Sequence, residues 1–239
     1  MKIDLVQYFK SGFELANRSL EFALITILIS LAGLIPALFS KTALEILFIF
    51  FNILIVFFAF GYGFSLPYFL SEKEKNKKTD LNSVFDISFA NTKRIIVPGV
   101  ILAVILFTVS FIIIFAGMSL LHINTTNIAS LLETQTNTSI SISLFFLAVM
   151  FLSSFMVFNP IYFSIEKKGL FASIKASIIY AKNHLDFTVA VFIITSIIYI
   201  LLAFLPSSNI FVKILTVFAS SYEGLFISAS SLLYFQKNK

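Results

Sequence analysis

Cysteine is absent from this 239-residue chain, which removes disulfides, thiolate metal sites, iron–sulfur clusters and cysteine nucleophiles from consideration. Histidine is nearly absent, with only His122 and His184 present. Charge is scarce as well: 12% of residues are Asp, Glu, Lys or Arg, against about 25% in a soluble domain. Reaction signatures are missing too, with no His-Asp, Glu-x-x-His, Gly-x-Ser-x-Gly or paired-acid arrangement. The chain is therefore expected to be no enzyme and to hold no cofactor or metal. The first apolar block begins only at Phe22, lacks an A-x-A-like cleavage site and is too long for a signal h-region, so it is expected to stay as a span.

What the chain has instead is grease, with 59% hydrophobic residues gathered into long continuous blocks. Spanning hydrocarbon takes about 20 mostly apolar residues, and six blocks meet that length or approach it: Phe22 to Phe39, Ala43 to Leu70, Ile95 to Leu121, Ile142 to Ile165, Phe187 to Leu205 and Ile210 to Phe235. The runs are continuous rather than alternating, which excludes a membrane β-barrel. The expected fold class is all-α: a polytopic integral membrane protein, six transmembrane helices in a single helical membrane domain over residues 1–239. The second block is 28 residues long, about 42 Å as straight helix, so it is expected to tilt, or to bend near Gly61, Gly63 and Pro67.

Lysine and arginine beside span ends are retained on the cytoplasmic side. Of the 17 such residues, all but Lys41 and Lys213 fall in the segment before the first span, the second-to-third gap, the fourth-to-fifth gap and the tail. The long loop from His122 to Ser141, on the other side, has none. This predicts a multi-pass protein of the cell membrane with both termini cytoplasmic, and puts the two histidines on opposite faces, where they cannot share a metal. The net charge of +5 is read as this topology signal and not as nucleic-acid binding, since no basic stripe is interleaved with stacking aromatics. Asn124-Thr125-Thr126 and Asn137-Thr138-Ser139 match glycosylation sequons in the outer loop and are read as chance matches.

Three cytoplasmic segments look alike: DLVQYFKSGFELANR from Asp4, DLNSVFDISFANTKR from Asp80 and GLFASIKASIIYAKN from Gly169. Apolar residues recur at helical spacing as Leu5, Phe9, Phe13 and Ala16, as Leu81, Phe85 and Phe89, and as Leu170, Ile174, Ile178 and Ala181. Each is expected to be an amphipathic helix in the headgroup layer, apolar stripe toward the lipid, with Lys10, Arg18, Lys93, Arg94, Lys175 and Lys182 as candidate headgroup contacts. Even-numbered spans close on Pro67-Tyr68-Phe69, Pro160-Ile161-Tyr162-Phe163 and Leu233-Tyr234-Phe235, with tyrosines at interface-anchor depth. Together these predict a threefold repeat of interfacial helix plus two spans, with units of about 1–70, 77–165 and 166–239.

The run Asn159-Pro160-Ile161-Tyr162, then Glu166-Lys167-Lys168-Gly169, then Ser173-Ile174-Lys175-Ala176-Ser177 and Lys182-Asn183 leading into another span resembles the membrane domain found beside glycerophosphodiester phosphodiesterases, and related six-helix families of bacteria and archaea. The resemblance is one of layout over most of the chain and of motif over Asn159 to Asn183. It implies a helical membrane domain without the phosphodiesterase chemistry, which in that family resides in a separate soluble barrel that no stretch of this chain is long enough to hold.

An ionisable residue inside a span is a functional-site hypothesis by default. Glu21, Glu45 and Lys213 stand at span ends and read as interfacial. Glu223 differs: it lies about 18 Å along the helix from Phe235, near mid-bilayer. A carboxylate there costs roughly 2.5–3.5 kcal/mol, while hydrophobes return about 0.3–0.6 kcal/mol each, so the eight strong hydrophobes between Ile214 and Leu232 nearly cancel it. Ser220, Gly224 and Ser228 form a small-residue strip on the same helix, suited to close packing on a neighbour. Lys213 is about 15 Å away along the helix, so a partner must come from another span; Thr108, Ser153, Ser154, Thr195, Ser196, Tyr199 and Asn52 match in depth. Glu223 is either a proton- or cation-responsive group lining a polar cavity with Ser154, Thr108 and Ser196, or a carboxyl gluing the sixth span into the bundle. The lack of a second buried acid or base weighs toward glue. The leading expectation for the whole is a non-catalytic membrane module that organises lipid or binds a membrane-protein partner or a second copy of itself. The alternative is a transporter or channel for a small solute, ion or lipid.

Overall fold

The computed structural model describes residues 5–38, 45–77, 79–120, 149–203 and 210–239. Among them all regular structure is helical, and eight helices position the rest: α1 Leu5–Asn17, α2 Leu20–Leu38, α3 Glu45–Glu74, α4 Leu81–Leu120, α5 Asn159–Ser164, α6 Leu170–Asn183, α7 Leu185–Ala203 and α8 Ile210–Asn238. Three stretches are long and apolar enough to cross a membrane, Phe51–Glu74, Leu185–Leu202 and Phe211–Asn238. A fourth is reached if Leu5–Asn17 and Leu20–Gly33, bent by 72°, count as one span. Lys41, His122 and both sequons lie outside the described residues.

The three similar segments fold in three different ways. Between α1 and α2 the hydrogen-bond ladder shortens, with Ser19 N donating to Ala16 O and Phe22 N to Ser19 O, each at 3.0 Å, and the chain turns sharply. Between α6 and α7 the break falls at His184, whose backbone leaves the helical region (φ −126°, ψ 54°). Thr188 Oγ1 bridges it, within 3.1 Å of Ala181 O and 3.0 Å of His184 O. The segment from Asp80, expected as a separate interfacial helix, instead continues into the following block as one helix of 40 residues. No glycine or proline stands between it and Ile95, and Pro98 removes only one helical donor.

The described part of the fourth block is interrupted. From Leu152 to Asn159 the backbone tightens to i→i−3 bonds, including Met156 N to Ser153 O and Asn159 N to Met156 O, both 2.9 Å. Pro160 is the cause: it has no N–H for Met156 O, so Asn159 supplies one instead and the regular ladder is lost at Phe155 O. Ser177 Oγ, from α6, donates to Phe155 O at 2.8 Å.

Buried residues concentrate at one end of the bundle. There Phe22, Phe69, Phe158, Phe187 and Tyr234 are sealed from solvent, and their rings interlock: Phe187 stacks on Tyr234 at 4.2 Å and Phe22 on Phe69 at 5.6 Å. α1 lies along α8, with Tyr8 against Tyr234, Phe9 against Phe226 and Phe13 against Tyr222. Glycine permits this approach, since a Cβ on Gly12 would stand 2.8 Å from Ser230 Cα. Two of the expected faces are corrected and one is met. The α1 stripe packs largely on protein and not lipid, with Ala16 in the core and Phe9 against it. On α4 Phe85 and Phe89 face outward, as expected of that stripe, while Val84, Ser88 and Thr92 are buried, because Gly61 of α3 lets the small polar face come close. Tyr234, expected as an interface anchor, is fully buried.

Toward the other end the helices turn their grease outward. Phe211 is 79% exposed and Leu215 56% on α8, and Leu54, Val104 and Leu201 behave alike. A water-facing surface does not carry a belt of that extent; a bilayer does.

Candidate functional site

Three parts of the chain build a groove around Glu223. The broken segment before Pro160 contributes Ser153 and Ser154, α7 contributes Thr195, and α8 contributes Ser220, Gly224 and Ser228 beside Glu223 itself. Met150, Met156, Val191 and Ile227 complete the walls of a space of about 380 Å³, within the range of small-ligand sites.

The hydroxyls are oriented by their own helices. Ser153 donates to Val149 O (2.8 Å), Ser154 to Phe151 O (2.6 Å), Thr195 to Val191 O (3.0 Å) and Ser220 to Thr216 O (2.8 Å). Each has one proton, so what these four offer the groove is oxygen lone pairs. Glu223 is half-buried and makes no hydrogen bond or ion pair among the described residues. Among the described residues the Ser220, Gly224 and Ser228 strip does not pack on a neighbour as expected: a Cβ on Gly224 would meet none of them within 4 Å, and the strip instead floors the groove.

Of the polar residues matched by depth, the structure brings Ser153, Ser154 and Thr195 to Glu223 and leaves others elsewhere. Thr108 is exposed on α4 and donates to Val104 O (2.9 Å). Ser196 is buried without a hydrogen-bond partner among the described residues and does not line the groove. Tyr199 is exposed on α7 and Asn52 half-buried on α3. The depth of Glu223 also changes, because the part of α8 beyond it is walled by protein. Leu225, Ala229 and Leu232 are core, and the neighbouring Tyr222 reaches Asn17 Oδ1 at the exposed α1–α2 turn (2.7 Å). The lipid-facing residues of α8 end at Phe218, so Glu223 stands at the border between belt and core.

The candidate headgroup residues divide. Lys10, Lys93, Lys175 and Lys182 are exposed and unpaired among the described residues. Arg18 donates to Asn76 Oδ1 (2.8 Å). Arg94 turns inward, donating to Asn91 Oδ1 (3.0 Å) and Lys168 O (3.1 Å) with its guanidinium 4.2 Å from the Phe163 ring centre. Glu21 pairs with Lys73 at 2.5 Å, in keeping with an interfacial position.

Two polar junctions had no signal in the sequence, since their members are far apart along it. Asn91 Nδ2 donates to Ser65 Oγ (2.8 Å), tying α4 to α3. His184 Nδ1 lies 3.0 Å from Tyr234 Oη, which also lies 3.5 Å from Asp186 Oδ1, tying the start of α7 to the end of α8. The run Asn159 to Asn183 proves to be one packing unit: Ser173 Oγ donates to Asn159 Oδ1 (2.6 Å), and Ser173, Ser177 and Ala181 form the buried face of α6.

These features define an all-helical protein with three helices, or four with the bent pair, able to cross a membrane, and with a polar groove that holds Glu223, a carboxyl unpaired among the described residues. Compared with known proteins, the chain matches no family model, and no curated protein and no solved structure is similar to it.

Proposed function

We propose that the protein crosses the cell membrane six times with both termini in the cytoplasm, and that it binds and passes a small monovalent cation or protonated amine at Glu223, without chemistry. The observation that carries this reading is the unpaired carboxyl beside Ser153, Ser154, Thr195 and Ser220, four hydroxyls whose protons are already committed to carbonyls. A glue carboxyl needs a partner on a neighbouring helix, and Glu223 has none among the described residues. A groove of oxygen acceptors and one negative charge suits a cation. A divalent ion draws several carboxylates, and no three His, Asp or Glu side chains converge among the described residues, so a single charge is favoured. Its place at the border of the apolar belt suits entry from the cytoplasmic headgroup side. The likeness of the run Asn159 to Asn183 to the phosphodiesterase-associated membrane domain fits a non-catalytic membrane bundle.

The test is flux in reconstituted vesicles. The wild-type protein should carry sodium, potassium, protons or a small amine down a gradient, and Glu223→Gln should abolish that flux while helicity and melting stay unchanged. No flux in the parent, with Glu223→Gln merely destabilised, overturns it. That outcome favours the second reading, a module that organises lipid or docks a membrane-protein partner through its cytoplasmic helices. The unpaired Lys10, Lys175 and Lys182 speak for it.

A further inference from the structure

A second cavity, of about 610 Å³, opens between α2, α3 and α4. Leu28, Leu54, Ile55, Phe58, Phe89 and Ile96 wall it, and among the described residues Lys93 is the one charged residue that lines it. We propose that this groove seats one acyl chain of an anionic phospholipid, with the headgroup phosphate against the Lys93 ammonium.

Size favours a chain over a partner helix: a helix about 10 Å across would fill 610 Å³ with only about five residues. The apolar walls fix where a chain lies but cannot select a lipid, because lipid tails are as apolar as leucine. Selection falls to Lys93. It is exposed and unpaired among the described residues, while its neighbour Arg94 is held by Asn91 and Lys168 and Thr92 Oγ1 by Ser88 O. The nearby acids do not neutralise it. Glu21 is paired with Lys73, and Asp86 lies about 10 Å back along α4. Depth agrees, since the exposed Asn82 and Asp86 alternate with the exposed Phe85 and Phe89 before Lys93, while beyond it the outward positions Val97, Val100, Ile101 and Val104 are all apolar, which puts Lys93 at the headgroup boundary. This site is independent of the Glu223 groove.

The experiment is native mass spectrometry of the full chain extracted from vesicles of equal phosphatidylglycerol and phosphatidylcholine. The wild type should retain phosphatidylglycerol about fivefold over phosphatidylcholine, the ratio that about 1 kcal/mol per membrane-surface lysine gives. Lys93→Gln should bring the ratio to one, Lys93→Arg should keep it, and Lys175→Gln, at a free lysine elsewhere, should keep it too. Ala32→Phe, which fills the groove, should remove retained lipid of both kinds, and decides the matter if Lys93→Gln does not fold. Equal loss from Lys93→Gln and Lys175→Gln would mean diffuse surface charge. Lipid retained by Ala32→Phe would put it elsewhere. Either result overturns the proposal, as does a second copy of the chain filling the groove.

Discussion

Removing the Ser177 hydroxyl should cost far more than the loss of one small polar atom suggests, because of what it leaves behind. In a regular helix Phe155 O would accept from Asn159 N–H; here that N–H turns to Met156 O (2.9 Å), which Pro160 cannot serve. Ser177 Oγ replaces it at 2.8 Å, at a position with no solvent exposure. Ser177→Ala therefore strands a carbonyl away from water, at a cost of about 1–3 kcal/mol. Pro160→Ala supplies an N–H for Met156 O and frees Asn159 N–H to return to Phe155 O. In that background Ser177→Ala should cost only a few tenths of a kcal/mol. The four proteins form a double-mutant cycle with a coupling of about 1–2 kcal/mol, read from reversible denaturant unfolding in mild micelles by circular dichroism. Additivity within about 0.5 kcal/mol would refute the reasoning.

Gly61→Ala should destabilise by about 1–3 kcal/mol, since its Cβ would stand 2.5 Å from Ser88 O and press on Thr92. Gly224→Ala, facing open space, should stay within about 0.5 kcal/mol in the same unfolding assay. Burial pushes the Tyr180 phenol above its ordinary pKa, with lesser contributions from Tyr234, Tyr162 and Tyr8. The folded state thus keeps its proton when the unfolded state loses it, so stability is whole below about pH 10 and falls above it. Tyr180→Phe should flatten that fall and cost little at neutral pH, because the buried hydroxyl has no hydrogen-bond partner among the described residues. With no native cysteine, single thiols at Lys75→Cys and Ser130→Cys can report sidedness: an impermeant maleimide added to intact cells should label position 130 and spare position 75, and the reverse would invert the topology.

Much of the architecture was legible in composition alone. Helicity and the membrane class follow from long apolar runs, which a bilayer demands and water rejects. Glu223 was legible as well, as the lone acid within the sixth apolar block. The parting of α1 and α2 was legible too, since the segment ending at Arg18 and the block starting at Phe22 bracket the break between Asn17 and Leu20; the fusion of the Asp80 segment with its span was not, because it depends on whether one or two ladder bonds survive at a junction. The small polar inward faces were not legible either. Periodicity finds the greasiest stripe of a helix, and in lipid that stripe can face outward, while Ser88, Thr92, Ser173 and Ser177 face in to allow close approach.

The arrangement of residues along the chain determined that it is helical, which stretches suit hydrocarbon and which carboxyl is out of place there. Tertiary structure decided what meets that carboxyl from other helices. Ser153 and Thr195 come from separate parts of the chain, and only the rotation and crossing of packed helices could turn them toward one groove and turn Ser196 and Thr108 away. Hydropathy is a property of each residue, but which way a helix faces is set by the neighbours against which it packs.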